Sequence, residues 1–137
     1  MVEKQRKTVL FVEDDKDLHA IVKWNLEREG YQVAGFEDGS TALAWLRSQK
    51  PDVAVLDLML PGMNGLELYE RMRALDSYTE IPVIIITALQ EDQVKRAGYK
   101  AGALMVFRKP ISPTRLAKHV TAALSGWRLP RQLTGTA

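Results

Sequence analysis

The sequence predicts one α/β domain, built on a parallel β-sheet with helices on both faces. Short apolar segments of strand length alternate with longer segments whose apolar residues recur at helical spacing. The connections between successive strand candidates are long enough for the helical crossovers that parallel strands require. The strand candidates are almost continuously apolar, as expected for strands covered on both faces. They lie at about 8–12, 32–36, 52–56, 82–87 and 103–107.

The first three helical segments carry regular apolar faces. Gly30 is placed to end the first of them, because glycine readily adopts the left-handed conformation that follows many helices. The third begins after Asn64 and Gly65. The residues expected to face the core are Leu18, Ile21, Val22 and Leu26 in the first segment, Ala42, Leu43 and Leu46 in the second, and Leu68, Tyr69, Met72 and Leu75 in the third.

The last two helical segments differ in strength. The fourth, at about 91–100, contains Gly98, and an interior glycine costs a helix about 1 kcal/mol relative to alanine. The fifth starts with Ser112 as a favoured N-cap and Pro113 at the first helical position. Its inward residues are Leu116, Val120 and Leu124. The chain therefore divides into a polar lead (1–7), a domain (8–125) and a tail or linker stub (126–137).

Composition excludes several kinds of site. The 137 residues are 46% hydrophobic and 26% charged, and the formal net charge of +2 is too small to indicate nucleic-acid or membrane binding. The absence of cysteine excludes disulfides, thiol catalysis and cysteine-ligated zinc, and two histidines argue against a histidine-based metal site. No segment approaches the roughly 20 apolar residues that span a bilayer, and the N-terminus lacks a signal-peptide core. We expect a cytoplasmic protein without membrane contact.

Polar residues follow four of the strand candidates, at the point where each strand ends. Glu13 and Asp14 follow the first strand, and Asp57 closes the third. Thr87 ends the fourth strand and Lys109 follows the fifth. Because the carboxyl ends of parallel strands meet at one edge of a sheet, where such folds bind ligands, we expect these side chains to lie close together.

These side-chain types suit phosphoryl transfer. Three neighbouring carboxylates raise at least one pKa unless a cation neutralises them, and Mg²⁺ prefers carboxylate oxygens, water and phosphate oxygens. Lys109 and Thr87 would contact phosphoryl oxygens, and an aspartate can accept the group covalently. Taken singly, each residue has an ordinary structural explanation: Asp14 or Asp15 as a helix N-cap, Asp57 as a loop acid, Thr87 as a strand-end residue and Lys109 as a solvated lysine. Their joint placement at strand ends favours the site.

The chain is similar to the response-regulator receiver domains of bacterial two-component signalling. The resemblance covers about residues 7–125 and implies a doubly wound, flavodoxin-like fold, a five-stranded parallel sheet of order 2-1-3-4-5 with helices on both faces. The matching segments are Val12-Glu13-Asp14-Asp15, Leu56-Asp57-Leu58-Met59-Leu60-Pro61-Gly62-Met63-Asn64-Gly65, Ile84-Ile85-Ile86-Thr87-Ala88, Ala101-Gly102-Ala103 and Lys109-Pro110.

The resemblance also implies a role for each matching residue. Asp57 would accept a phosphoryl group from the phosphohistidine of a sensor histidine kinase or phosphotransfer protein. Mg²⁺ would be bound by Asp14, Asp57 and the Met59 backbone carbonyl, with Glu13 acting through a water. Residues contacting the phosphoryl group or taking part in the switch would be Thr87, Ala88, Lys109 and the residue at position 106. Such a domain is a signalling phosphoacceptor and not a turnover enzyme, and would meet nucleic acid only through an output domain.

Two departures from the family pattern concern the switch surface. Val106 stands where receivers usually carry tyrosine or phenylalanine, and strand alternation turns its neighbour Phe107 to the opposite face. Leu104 and Met105 replace acids that often belong to a charged dimer face. We therefore expect a non-standard partner or homodimer surface made by the fourth predicted helix, the last strand and the last helix, unless Leu104 and Met105 simply pack in the core.

Two further positions bear on the phosphoryl lifetime. Met59 and Leu89, two residues past Asp57 and Thr87, flank the line of attack of the hydrolytic water in the family, and neither offers a polar group to orient it. We expect slow self-dephosphorylation.

Three other functions remain as alternatives. A haloacid-dehalogenase-type phosphatase needs a second acid two residues after its nucleophile, where this chain has Met59. A nucleotide-binding α/β module lacks support, because neither GxxxxGK[ST] nor GxGxxG is present. The third is a receiver-like protein-binding module whose switch is non-standard or independent of phosphorylation, which Val106 keeps open.

Overall fold

Strands and helices alternate along the part of the chain that the computed structural model describes, residues 6–75, 81–90 and 104–126. The strands are β1 (Thr8–Val12), β2 (Gln32–Phe36), β3 (Val53–Asp57), β4 (Val83–Thr87) and β5 (Leu104–Arg108). The helices are α1 (Lys16–Arg28), α2 (Gly39–Leu46), α3 (Gly65–Ala74) and α4 (Pro113–Leu124). The predicted helix at 91–100 and all but the first residue of the predicted tail (126–137) lie outside the described residues. The chain division proposed from sequence stays a prediction.

The five strands form one parallel sheet in the order β2-β1-β3-β4-β5, which confirms the predicted doubly wound fold. Register aligns the carboxyl ends of the strands: Val12 pairs with both Phe36 and Leu56, Asp57 with Ile86, and Thr87 with Arg108. The residues that end these strands therefore meet at one edge of the sheet.

Apolar clusters cover both faces of the sheet, which explains why its strands read as continuous apolar segments. Alternate residues of β1 separate to the two sides: Leu10 and Val12 pack with α2 and α3, whereas Val9 and Phe11 pack with α1 and α4. Full burial of such a side chain stabilises the fold by about 1.5–3 kcal/mol. Two filled layers hold the strand ends, and hence any site built on them, in fixed positions.

Polar side chains cap all four helices. Asp15 caps α1 by accepting the Asp17 and Leu18 N–H groups at 3.0 and 3.1 Å, which settles which acid does so and leaves the Asp14 carboxylate outside the cap. Ser112 caps α4 ahead of Pro113, as the sequence predicts. Each cap contributes about 1 kcal/mol. The other two N-caps are Asp38 for α2 and Asn64 for α3.

The apolar face of α1 is narrower than the sequence indicates. Val22 and Leu26 are fully buried and Leu18 is half-buried, but Ile21 is 52% exposed, so the prediction that Ile21 faces the core is wrong. The buried residues follow one another four positions apart, and Ile21 lies roughly 100° around the helix from its neighbour Val22. Among the described residues, no helix has the length and apolarity needed to cross a membrane.

The last strand sends neighbouring side chains to opposite faces. Met105 is buried in the cluster on the α1 and α4 side, and Phe107 packs against the same cluster with its ring stacked on His119 at 4.1 Å between centroids. Val106 packs against the cluster on the other side. The predicted opposition of Val106 and Phe107 is therefore confirmed, and Met105 follows the core-packing alternative.

Candidate functional site

Three carboxylates converge at the carboxyl edge of the sheet. One oxygen from each of Glu13, Asp14 and Asp57 lies within 4.8 Å of the others. Glu13 and Asp57 are buried, whereas Asp14 is exposed. The expected convergence is thus found, with two acids inside the protein and one facing the solvent.

Lys109 neutralises the buried pair from the end of β5. Its Nζ lies 2.8 Å from Glu13 Oε1 and donates a 3.0 Å hydrogen bond to Asp57 Oδ2. Its backbone N–H donates to the Thr87 carbonyl oxygen at 2.7 Å, and its peptide bond to Pro110 is cis. Burial lowers the pKa of Lys109, but the close contacts and negative charges of Glu13 and Asp57 outweigh burial and raise the pKa above its ordinary value. The ammonium group therefore stays charged.

The surroundings of Glu13 disfavour its charged form. Burial, together with the nearby charge of Asp57, raises its pKa to about 7, although Lys109 and the Asp15 N–H favour the charged form. Its Oε2 accepts the Asp15 N–H at 3.0 Å. Its buried Oε1 has the ion pair with Lys109 but no partner in hydrogen-bond geometry among the described residues. This oxygen retains the capacity to bind a further positive group.

The Asp57 carboxylate is held through both oxygens. Oδ1 accepts the Met59 N–H at 3.0 Å, and Oδ2 accepts from Lys109. The turn after β3 then packs against the start of α3 so closely that a Cβ on Gly65 would lie 2.3 Å from the Asp57 carbonyl oxygen. Only glycine fits at that position without a backbone shift, and the close approach fixes the direction in which Asp57 leaves the strand.

Thr87 lies beside this group at the end of β4. Its side chain is fully buried, and its Oγ1 accepts the Leu89 N–H at 3.0 Å. Within the described residues its own hydroxyl proton has no acceptor and can be donated. Ala88, the next residue, is exposed. Because Asp57 pairs in register with Ile86, Thr87 extends one residue beyond Asp57 toward the open side of the edge.

The donor set fits Mg²⁺. Hard oxygen ligands from one exposed and two buried carboxylates suit this ion, which keeps several waters when it binds proteins. The buried Oε1 of Glu13 has no hydrogen bond within the described residues, and the pKa of Glu13 is raised. Both features are expected where nearby positive charge is too small to balance a group of acids.

The remaining predicted positions surround the site. Met59 is 56% exposed directly after the Asp57 turn. Leu89 and Val106 are half-buried and pack against the same apolar cluster. The roles assigned to all these residues stay predictions, although their positions at one edge agree with them.

Sequence reasoning missed two residues that shape the acidic turn. The His19 ring contacts the Glu13 carbonyl, and Gly35 provides the space for that ring. A glycine inside a strand pattern was the available signal, because it often marks a close approach. The role of Gly65 was missed as well.

The chain matches a known protein family over most of its length. Residues 9–121 match the family model described as the response regulator receiver domain. The chain belongs to this family. Receiver domains are signalling domains of two-component response regulators, and the recognition made from sequence is confirmed.

Curated relatives of the chain include DNA-binding and transcriptional regulators. The alkaline phosphatase synthesis transcriptional regulatory protein PhoP of Bacillus subtilis is 36% identical over 118 residues, 86% of this receiver and 48% of PhoP. The DNA-binding response regulator MtrA of Mycolicibacterium smegmatis is 37% identical over 123 residues, 90% of this receiver and 53% of MtrA. The chain therefore spans about half the length of the curated relatives it matches.

Solved structures agree on the receiver fold over nearly their whole length. The signal receiver domain of a histidine kinase from Syntrophus aciditrophicus is 30% identical with a TM-score of 0.79, covering 90% of this chain and 94% of that one. The chemotaxis protein CheY4 of Vibrio cholerae is 29% identical with a TM-score of 0.77, covering 85% and 98%.

Proposed function

We propose that this receiver takes a phosphoryl group onto Asp57 from the phosphohistidine of a sensor histidine kinase or phosphotransfer protein, in the cytoplasm and with Mg²⁺. The observation that carries the proposal is the Asp57 carboxylate, buried beside two further acids and bonded to Lys109. An Asp57 oxygen forms the new bond to phosphorus as the bond between phosphorus and the histidine nitrogen breaks, and that nitrogen keeps the electron pair. The chain catalyses only its own phosphorylation and dephosphorylation.

Different residues around Asp57 would bind the ion and contact the phosphoryl oxygens during this transfer. Asp14, Asp57 and the Met59 carbonyl would hold Mg²⁺, with Glu13 bound through a water. The ion would neutralise the carboxylates and the phosphoryl oxygens in the transition state. Lys109 already contacts the acceptor oxygen Asp57 Oδ2 at 3.0 Å, so a short movement of Nζ brings it to a phosphoryl oxygen. Thr87 and Ala88 complete the contacts, with the Thr87 hydroxyl donating to another oxygen.

The switch that follows phosphorylation differs from the usual one in this proposal. Val106 packs against the core and offers no aromatic ring to turn inward, while Phe107 is stacked on His119 on the opposite face of the sheet. Movement of Thr87 and Lys109 would therefore be transmitted through β5 and its contact with α4. The same observation favours the second candidate function, a receiver-like binding module that works without phosphorylation.

The proposed partner or homodimer face includes β5 and α4; the fourth predicted helix, which the same prediction assigns to this face, lies outside the described residues. Its described part carries exposed Arg108, Arg115 and Lys118, and residues 104–126 contain no acid. Burial and the charge of Arg115 lower the pKa of His119 on the same face. Two copies meeting symmetrically through this face would bring like charges together, so a homodimer here depends on ionic strength.

The experiment that tests the main proposal is incubation with acetyl phosphate and Mg²⁺, read by intact mass. The wild-type chain should gain one phosphoryl group, and Asp57→Asn should gain none. Asp17→Asn, which removes an exposed acid near the same edge, provides the matched control and should be modified like the wild type. An unmodified wild-type chain that still folds would leave the second candidate function in place of the first.

A further inference from the structure

A histidine outside the proposed phosphoryl chemistry holds the backbone of the acidic turn. His19 lies in the first turn of α1, where its N–H donates to the Asp15 carbonyl oxygen at 2.9 Å. Its ring turns back toward β1, and Nδ1 lies 2.9 Å from the Glu13 carbonyl oxygen. A carbonyl oxygen only accepts hydrogen bonds, so Nδ1 is the donor and the ring carries its proton there.

The ring rests on two residues that are partners in strand register. It packs on Phe11 of β1 with 4.9 Å between ring centroids, and it approaches Gly35 of β2, which pairs with Phe11. A Cβ on Gly35 would lie 2.5 Å from His19 Nε2, closer than two such atoms can approach. The backbone of Gly35 is not in the left-handed region, so the space taken by the imidazole, and not a turn, explains a glycine within this strand.

The backbone of Glu13 is therefore hydrogen-bonded through both its N–H and its carbonyl oxygen. Its N–H donates to the Phe36 carbonyl oxygen at 3.0 Å, and its carbonyl oxygen accepts from His19. The direction of that carbonyl fixes the peptide plane between Glu13 and Asp14, because the peptide unit is planar. The plane in turn fixes where the Asp14 side chain leaves the backbone.

We propose that His19 is a positioning residue for Mg²⁺ binding, and that Gly35 is its matched partner. The proposal rests on the proposed function, since it concerns the same acidic site. Mg²⁺ requires near-octahedral geometry, so a carboxylate displaced by a fraction of an ångström binds it less well. His19 would not contact the ion itself; it contacts the Glu13 carbonyl oxygen and acts through the backbone that carries Glu13 and Asp14.

The first test separates the hydrogen bond from the packing. His19→Phe keeps an aromatic ring near Phe11 and Gly35 but removes the donor, whereas His19→Gln keeps a donor within reach of the Glu13 carbonyl. Calorimetric titration with Mg²⁺ alone should show a dissociation constant about tenfold higher for His19→Phe, the lower end of what lost supporting hydrogen bonds cost metal sites. His19→Gln should recover most of this loss.

The second test uses the matched glycine. Gly35→Ala should push the ring from the Glu13 carbonyl and weaken Mg²⁺ binding by a similar factor, while the same change in a His19→Ala background should have no further effect. Gly30→Ala is the control, because strain at its φ of 95° lowers stability far from the ring and should leave the Mg²⁺ dissociation constant unchanged. A merely structural role for His19 would lower the melting temperature without this selectivity.

Hydrogen exchange provides a readout without metal. The Glu13 and Asp15 amides should exchange faster in His19→Phe than in the wild type, while the amides of α4 should not change. Equal Mg²⁺ affinity and equal exchange in both proteins would overturn the inference even if Asp57 is phosphorylated normally, and so would a folded wild type that binds no Mg²⁺. If His19→Phe binds Mg²⁺ more weakly than the wild type, and the wild-type Asp57 gains no phosphoryl group, the inference is upheld and the proposed function is refuted.

Discussion

Asp57 and Lys109 are 52 positions apart in the chain, yet Lys109 Nζ donates to Asp57 Oδ2 at 3.0 Å. The same ammonium group lies 2.8 Å from Glu13 Oε1. One cation thus contacts two buried acids, one of which is the proposed phosphoryl acceptor. The charge balance of this group determines how the site responds to mutation, pH and Mg²⁺.

Removal of the ammonium group should destabilise the metal-free protein. Lys109→Met leaves Glu13 and Asp57 buried without their counter-ion, which typically costs on the order of 3 kcal/mol in the free energy of unfolding. Saturating Mg²⁺ should restore part of this loss, because the ion supplies the missing charge. Denaturant unfolding with and without Mg²⁺ measures both effects. Lys118→Met, the same change at an exposed position, should alter stability by less than about 0.5 kcal/mol.

Mg²⁺ affinity should rise with pH up to about pH 7. The pKa of Glu13 is raised from an ordinary value of 4.5 to about 7 by burial, so below that pH the folded chain holds a proton that a bound cation must displace. Calorimetry at pH 6 in buffers of different ionisation enthalpy should detect proton release on binding. Glu13→Gln should abolish that release, and a wild type that releases no proton at pH 6 would contradict the assignment.

The same pKa has a consequence for folding. In the unfolded chain Glu13 loses its proton near pH 4.5, whereas the folded chain keeps it until about pH 7. The folded state therefore binds more protons in this window, and the contribution of Glu13 to the free energy of unfolding falls as pH rises from about 4.5 to 7. Comparison of unfolding curves for the wild type and Glu13→Gln across this range, without Mg²⁺, should show the wild type losing more stability.

Substitution of Gly65 should damage both stability and the acceptor. A Cβ there would lie 2.3 Å from the Asp57 carbonyl oxygen, so Gly65→Ala forces the turn after β3 away from the start of α3. We expect a loss of roughly 2 kcal/mol, typical of overpacking, and slower phosphorylation by acetyl phosphate. Gly30→Ala should also lose stability but keep the wild-type phosphorylation rate.

The phosphoryl group on Asp57 should be hydrolysed slowly, and a polar side chain at position 59 should shorten the lifetime of the phosphorylated form. Met59 is 56% exposed beside the acids and offers nothing to orient a water. Met59→Asn should raise the dephosphorylation rate roughly tenfold, a change of about 1.4 kcal/mol in the barrier. Loss of the phosphoryl mass over time provides the rate. Ile21→Asn, at another exposed apolar position, should behave like the wild type.

If the phosphorylated chain dimerises through β5 and α4, salt should strengthen the dimer. The group Arg108, Arg115 and Lys118 would face the same basic group of the second copy. Raising ionic strength from 0.1 M to 1 M shortens the screening length from about 10 Å to 3 Å, which weakens this repulsion. Light scattering of the beryllofluoride-treated protein tests this. Arg115→Glu should strengthen association at low salt by supplying the opposite charge. A dimer that weakens as salt rises would place the interface elsewhere.

The sheet and the convergence of Glu13, Asp57 and Lys109 could be predicted because they depend on strand order and strand ends. A buried parallel strand leaves a continuous apolar pattern, and its last residue must lie at the shared edge. Sequence patterns could not separate Asp14 from Asp15 as the cap of α1, because either side chain reaches the helix N-terminus from its position.

Some side-chain directions on the helices could not be read from spacing. Ile21 fits the apolar pattern of α1 but lies outside the narrow stripe that the sheet covers. The contact of His19 with the Glu13 carbonyl depends on how α1 crosses β1 and β2, and no local pattern reports a crossing position. The stacking of Phe107 on His119 likewise depends on where α4 lies against β5.

The residues of the proposed site come from the ends of β1, β3, β4 and β5. The site therefore forms only when these four strands have joined into one sheet. No shorter segment of the chain brings Glu13, Asp57 and Lys109 within reach of one another. A newly made or partly unfolded molecule would then not react with its phosphate donor. The phosphorylated fraction of a sample would therefore measure the fraction of molecules that have folded completely.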